Sequence, residues 1–371
     1  MISSLWPPAV VGGAELYACD LAAQLRAQGH DVGVVTHGVE GDDVVTTIPA
    51  WPARVDELPM AAGWRGPAFH LRDVWRPQTL RILRRAIEQF RPHVIHSHVT
   101  SGMSVAALVA PSALGVPHVH TLHDYWLRCW RTTLTKRSGA SCGASCRAIR
   151  AWRSTVVRRG GGPDVVIAIS RAMLEQHPDI RGRIDTRVVH HPTQAAHADR
   201  RAAPTDARPL FGYLGQLATN KGLDVLVDAA ALGNHQLLVA GRGPLEPLVR
   251  RASGVDYLGW VSGDDRERFF DRIDCLVVPS VWHEPAGLAV NEAYARGIPV
   301  IASAVGGLPE YVPDACRPLL TPPGDPASLA GAMTRFAGEP ERFAPGAPAP
   351  ERGWGPHLDE IVDAYHVAGA A

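Results

Sequence analysis

The residues best placed by type and spacing to do chemistry lie between 215 and 310. Glu284 and Glu292 are two carboxylates in an E-x7-E spacing. The apolar run at 275–279 reads as a buried strand, and 287–296 reads as a helix opening near Gly287 and Leu288. Glu284 therefore falls in the loop at the strand's carboxyl end, and Glu292 about a turn and a half into the helix. The first N–H groups of a helix have no intrahelical partner, and the helix dipole favours an anion beside them. A nucleoside diphosphate suits this pattern: amides face phosphate oxygens and a carboxylate accepts from ribose hydroxyls. The competing reading makes Glu284 a solvated loop charge and Glu292 a surface helix residue. Upstream, residues 215–222 (GQLATNKG) leave a strand at 210–214 and open a helix at 222–232, which puts Lys221 at a phosphate-binding edge. Gly241-Arg242-Gly243-Pro244 is not a dinucleotide fingerprint, because a third glycine at 246 is replaced by Glu246.

These residues need a parallel sheet to carry them. After 210 the pattern continues with strands at 236–240, 255–258 and 299–302 and helices at 244–253 and 264–272. The N-terminal half shows the same alternation of short apolar runs and helical stretches, the mark of βαβ units. A helix at 15–28 carries Leu16, Leu21 and Leu25 and stops at Gly29. Strands are expected at 32–36, 94–96, 119–122 and 165–169, and a basic helix at 76–90. Strand ends place His96-Ser97-His98, His123-Asp124 and Ser170 at one edge. Gly12 and Gly13 form a turn before helix 15–28, where backbone can approach a ligand closely. Such features also occur as scaffold, and for His98 acceptor contact and scaffold stand as equal readings. The polar, proline-bearing segment 192–209 reads as a linker, 338–356 as irregular, and 357–367 as a closing helix. The domains expected are 1–195, 205–350 and a terminal helix, 351–371, packing back toward the first. Two doubly wound domains present the carboxyl ends of their strands to ligands, here across a central cleft.

Bulk properties narrow the function classes. A chain of 371 residues exceeds the size of a single core. Its 37 basic and 37 acidic residues balance, which argues against a nucleic-acid binder. No apolar run is long enough to span a membrane, and no basic n-region precedes an apolar stretch. A cytoplasmic protein is expected, with peripheral contact at the inner membrane face as a further option. That option comes from segment 125–163, which holds nine basic residues and no acidic one, with Trp126, Trp130 and Trp152 interleaved. It reads either as a site for an anionic acceptor or membrane, or as a solvated rim. Cys129, Cys142 and Cys146 sit in this segment in a C-x12-C-x3-C spacing that matches no standard zinc finger. Reduced or loosely paired thiols are expected there; zinc with His123 as a fourth ligand is the lesser alternative.

The order G-x-L-x-x-x-K-G, G-x-G-P, D-x4-P-S, E-x7-E running into E-A-x-A-x-G-x-P-V-I-A, and G-G-x-P-E resembles the retaining GT-B glycosyltransferases of family 4. The resemblance covers nearly the whole chain and is strongest over 210–312. It implies GT-B architecture, two Rossmann-like domains, and transfer of a sugar from a nucleotide-diphosphate donor to a hydroxyl on a sugar-containing, lipid-linked or natural-product acceptor. It implies no cofactor and no essential metal, in line with the lack of an Asp-x-Asp clamp at a strand end. Residue by residue, it places Lys221 on the diphosphate, Glu292 on the ribose, Glu284 against sugar and phosphate, and the Gly287-Leu288 turn on the phosphates. It places Gly12 and Gly13 toward donor phosphate and acceptor, His123 on the donor sugar, and Ser170 near the cleft. Gln216 stands where most of the family has arginine, leaving Lys221 as the one certain cation nearby. The family's first strand usually begins earlier than Met1 allows, so either this strand is short or the true start lies upstream. Two rivals remain: a GT-B sugar-nucleotide epimerase, and a non-catalytic nucleotide-sugar-binding protein.

Overall fold

The computed structural model describes residues 1–9, 12–38, 40–41, 43–50, 65–135, 142, 146–193, 208–346 and 352–370. Val10 and Val11 of the N-terminal turn, Lys136 and Arg137 of the basic segment, most of the 192–209 linker and part of 338–356 lie outside these residues. The chain divides into two compact units. The first comprises Met1–Leu134, Cys142–His191 and Gly355–Ala371, and the second is built on Pro192–Trp354.

The first unit holds β1 (Val34–His37), β2 (Val44–Ile48), β3 (Ile95–Ser97), β4 (His118–Leu122), β5 (Val165–Ala168) and β6 (Asp185–Val188). β1 pairs with β2, and β3 to β6 pair in sequence order, all parallel. Ile2 bridges β1 and β3 through Val35 and Ser97, so the first residues fill the central slot of one continuous sheet. β1, β3, β4 and β5 are buried throughout, as expected of parallel strands covered on both faces. The helix spans Gly13–Ala27 and buries Tyr17, Ala18, Leu21, Ala22 and Leu25. Leu16, expected in its apolar stripe, is exposed instead, because the inward face follows the 18, 21, 22, 25 spacing.

The second unit holds β7 (Leu210–Leu214), β8 (Gln236–Ala240), β9 (Val255–Gly259), β10 (Cys275–Val278), β11 (Val300–Ser303) and β12 (Leu320–Thr321) in the order β12-β11-β10-β7-β8-β9. Numbered within the unit, this is 6-5-4-1-2-3, the dinucleotide-fold order. Its reversal point, where ligands bind outside the carboxyl ends of the strands, falls between β7 and β10. Aromatic and aliphatic side chains close both faces of the sheet, Phe211, Leu226 and Phe336 on one and Phe269, Leu276 and Tyr311 on the other. Strands β2, β6 and β12 and the helix Pro326–Gly338 are elements the sequence reading did not include.

One buried charge organises the loop after β4. Asp73 and Arg153 pair at 3.0 Å with side chains 2% and 1% exposed. The Asp73 carboxylate also accepts from the Trp126 indole at 2.6 Å and from the Gly102 and Ser104 amides at 2.7 and 3.1 Å. Arg153 lies 3.9 Å over the Trp126 ring and donates to the Trp126 carbonyl. The basic segment thus loses Arg153 as a surface cation and Trp126 as a surface aromatic. Such a pair is tolerated in the interior only when further hydrogen bonds support it, and here they reach both carboxylate oxygens of Asp73 and both terminal nitrogens of Arg153.

Candidate functional site in the second unit and the histidine cluster of the first

In the second unit the carboxyl ends of β7 and β10 are tied together by their loops. Lys221 closes a short 3-10 turn after β7, and its ammonium donates to Glu284 Oε1 at 2.7 Å. Ser280 donates to the same oxygen at 2.6 Å. Both bonds land on Oε1, and among the described residues no donor reaches Oε2. Lys221 also lies 4.8 Å from the Trp282 ring centroid. Its side chain is 27% exposed against 10% for Glu284, so the ammonium keeps N–H donors open to solvent.

Close packing enforces this arrangement. Gly222 has φ +69°, and a Cβ there would meet the Pro279 carbonyl oxygen at 1.9 Å. The Asn220 carbonyl accepts from Val281 N–H at 3.0 Å in the same contact. On the other side, Gly306 (φ +57°) would drive a Cβ to 2.3 Å from the Glu284 carbonyl oxygen, and Gly307 N–H donates to that oxygen at 2.7 Å. Three strand-end loops are thereby fastened on Glu284.

The helix Leu288–Ala295 starts beside them with Gly287 as its N-cap and no side-chain cap. Its first internal hydrogen bond runs from Asn291 to Gly287. The amides before it are offered to an anion. Glu292 sits within this helix, half-buried, and is gripped through both carboxylate oxygens by Arg266. Arg266 belongs to the helix Asp264–Arg272. The sequence reading counted Lys221 as the one certain cation; Arg266 is a second, delivered from another helix. Gln216 is exposed at its side chain, and its carbonyl accepts from the Tyr213 hydroxyl at 2.6 Å.

In the first unit the strand-end residues gather into a buried aromatic cluster. His98 Nδ1 lies 3.1 Å from His123 Nε2, and His123 stacks near His191 and Tyr17. His98 Nε2 and His123 Nδ1 are buried with no hydrogen-bond partner. Because the two rings share one proton between them, one of these outward nitrogens is a donor and the other an acceptor. Most buried polar groups in proteins have a partner, which sets these two nitrogens apart from ordinary core positions. Burial and the neighbouring histidines hold both rings well below the ordinary imidazole range, so both are neutral near pH 7. Gly12 caps and Gly13 opens the first helix. The Gly12 amide, expected to face a ligand, instead donates to Glu15 Oε2 at 2.9 Å, the one half of a capping box open to a glycine. Ser170 is buried and its Oγ accepts from Met173 N–H at 3.0 Å, the cap of the helix Arg171–Glu175.

Comparison with known proteins gives the arrangement a family. The model for Glycosyltransferase Family 4 matches residues 11–195, and that for Glycosyl transferases group 1 matches 208–339. The D-inositol 3-phosphate glycosyltransferase of Acidothermus cellulolyticus is 30% identical over 88% of this chain and 78% of its own. The chain belongs to the group 1 glycosyltransferases of family 4. The glycogen synthase of Mycobacterium tuberculosis is 27% identical over 92% of this chain and 86% of its own. Among solved structures, the sucrose-phosphate synthase of Thermosynechococcus elongatus superposes with a TM-score of 0.71 at 24% identity, covering 98% of this chain and 97% of that one. HepE of Anabaena, in complex with UDP and glucose, gives 0.69 at 19%, covering 98% of each. This glycosyltransferase therefore has the GT-B type of fold, with two Rossmann-like domains. Among its described residues no helix is long and apolar enough to cross a membrane.

The buried histidines make acid stability a test of the first unit's core. His118, His120 and His191 are lowered to about 3 and His177 and His357 to about 4, in each case mainly by burial. His96, His98 and His123 move the same way. Folded, these rings stay neutral; unfolded, they take up protons below about pH 6.5. Their contribution is complete above that pH and is lost as pH falls from about 6.5 toward 3–4. Each ring should cost on the order of 1 kcal/mol between pH 7 and 5.5. Denaturant titrations at the two pH values should show a loss of several kcal/mol. Equal stability at both would show that these rings are not buried neutral.

Proposed function

We propose that this glycosyltransferase moves a sugar from a nucleotide-diphosphate sugar to a hydroxyl acceptor with retention of anomeric configuration and without a metal at the donor. The observation that carries this reading is the Lys221–Glu284–Ser280 constellation at the β7/β10 reversal point, beside the uncapped helix start at Gly287. Breaking a glycosyl–phosphate bond builds positive charge on the anomeric carbon and negative charge on the departing diphosphate. Lys221 and the free amides at Leu288 stabilise the diphosphate charge, the electrostatic contribution that dominates many enzymes. Glu292, with Arg266 fixing its orientation, accepts from the ribose hydroxyls. Glu284, held at Oε1, offers Oε2 to the donor sugar. The family resemblance assigns His123 to the donor sugar, with His98 on the acceptor side. HepE, a protein of the same fold, carries UDP and glucose in its structure, which supports a nucleotide-sugar donor here.

The decisive assay is donor consumption with and without hydroxyl acceptors, followed by the anomeric configuration of the product. Turnover that requires acceptor and keeps the donor's configuration is expected. Acceptor-independent interconversion of donors would point to an epimerase, and binding without turnover to a non-catalytic protein. Lys221→Ala should lower kcat/KM about 10²–10³-fold, as for loss of one key electrostatic donor. Activity within threefold of wild type would remove Lys221 from this role.

For the basic segment, the reading supported best is weak contact with an anionic surface or acceptor. Arg147, Arg158, Arg159 and Trp152 are exposed, whereas Arg150 faces Asp179 at 3.8 Å. Three engaged arginines contribute about 3 kcal/mol near an anionic bilayer, enough for reversible contact that salt screens. The protein should sediment with anionic vesicles at low salt and be released at high salt. Changing Arg147, Arg158 and Arg159 together to serine should abolish the effect. Identical behaviour of wild type and triple variant, in both sedimentation and acceptor KM, would leave the segment a solvated rim.

A further inference from the structure

Between β4 and the helix Arg147–Arg159 the described residues make no α-helix and no strand. They nevertheless hold a definite path, with Thr132 and Leu134 at φ +63° and +60°. Such backbone is costly for residues with a Cβ, doubly so for β-branched threonine, and persists only where surrounding structure fixes it. The apolar material available is small. Cys129, Cys142 and Cys146 form the buried centre, and Trp130, Leu134 and Ile149 pack around them.

The three thiols are 0%, 4% and 6% exposed, and their sulfurs all lie within 4.8 Å of one another. Cys129 Sγ stands 3.6 Å from Cys142 Sγ and 3.3 Å from Cys146 Sγ. A disulfide needs about 2.05 Å, and all six cysteines are free. In a tetrahedral site with zinc–sulfur bonds of about 2.3 Å, neighbouring sulfurs stand about 3.8 Å apart. The two separations made by Cys129 lie a little below that edge, and the third is within 4.8 Å. We propose that Cys129, Cys142 and Cys146 bind a structural zinc ion that staples the loop following β4.

Two further observations fit. The Arg131 amide donates to Cys129 Sγ at 3.4 Å, the kind of outer hydrogen bond that orients a metal-bound thiolate. Three thiolates on one zinc carry a net negative charge, and they sit in a segment with nine basic residues and no acidic one. The acid-free composition of 125–163 thus has a local use beside any surface role. Among the described residues the group has no fourth histidine, cysteine or carboxylate. His123, the fourth ligand weighed from sequence, is engaged with His98 instead. The last tetrahedral corner is left to a donor outside this triplet. The site is remote in role from the proposed donor chemistry. It fixes the loop, since Cys129 N–H donates to the Tyr125 carbonyl at 2.8 Å, two residues from His123.

The experiment is elemental analysis of the purified full chain with no chelator in the buffers. About one equivalent of zinc is expected, falling below a tenth in Cys142→Ser and unchanged in Cys19→Ser, whose thiol lies elsewhere. Cobalt loaded into the wild-type protein should show intense thiolate-to-metal charge transfer and tetrahedral d–d bands. Three of the six thiols should resist alkylation until chelator is added. The last two measurements need no variant, so failure of Cys142→Ser to fold leaves them decisive. A wild-type chain that takes up no zinc on loading, iron in place of zinc, a disulfide within the triplet, or equal alkylation with and without chelator would overturn the proposal.

Discussion

The second unit depends on one contact, the ion pair of Lys221 and Glu284 across the loops of β7 and β10. These strands are adjacent in the sheet but separated by two other strands along the chain. A doubly wound sheet leaves a gap at such a point, because successive connections turn to opposite sides. Gly222 lets one loop touch the Pro279 carbonyl, and Gly306 lets a third loop reach Glu284. The result is a carboxylate with one oxygen occupied and one presented, an ammonium with donors to spare, and a row of uncapped amides. An exposed ion pair contributes little to stability. This one is half-buried and serves to position its members.

The first unit answers a different constraint. Its sheet ends carry histidines, which in water would be partly charged near neutral pH, yet here they are packed so closely that they remain neutral. Ser97 sits between His118 and His120 at 2.7 and 2.8 Å, and His96 bonds both Thr121 and Tyr365 at 2.7 and 2.8 Å. Tyr365 and His357, which reaches the Tyr17 hydroxyl at 2.8 Å, come from the terminal helix Trp354–Val367. The last helix of the chain therefore completes the polar core of the first unit. His98 and His123 each keep a buried ring nitrogen without a hydrogen-bond partner, and Asp73 fixes the loop that follows His123.

Where local pattern determines structure, the sequence was readable. The strands expected at 210–214 and 236–240 are largely apolar runs between turn residues, and they coincide with the observed Leu210–Leu214 and Gln236–Ala240. β6, with the sequence DTRV, is an edge strand with a polar, half-exposed pattern, and nothing local marks it as a strand. The residue types of the candidate site were legible from E-x7-E and its flanks. Their partners were not: Arg266 reaches Glu292 from 26 residues away, and Asp73 reaches Arg153 from 80. Arg153 looked like one more cation in a basic run because pairing at that range leaves no trace in local spacing. The cysteine triplet was visible in the sequence but its convergence was not, because an irregular loop rather than a recognisable knuckle brings the three thiols together.

The central claim is that the β7/β10 loops and the Gly287 helix form a nucleoside-diphosphate site in which the two glutamates have separate duties. Calorimetric titration of the full chain with the bare nucleoside diphosphates, in wild type, Glu292→Gln and Glu284→Gln, tests it most directly. The account predicts that wild type binds at least one of them. It predicts that Glu292→Gln loses at least tenfold in affinity, about 1.4 kcal/mol, through the ribose contact. Glu284→Gln should stay within threefold, because its carboxylate serves the sugar and its loss frees Lys221 for the diphosphate. Equal losses in the two variants, or no binding by wild type to any nucleoside diphosphate, would contradict the account.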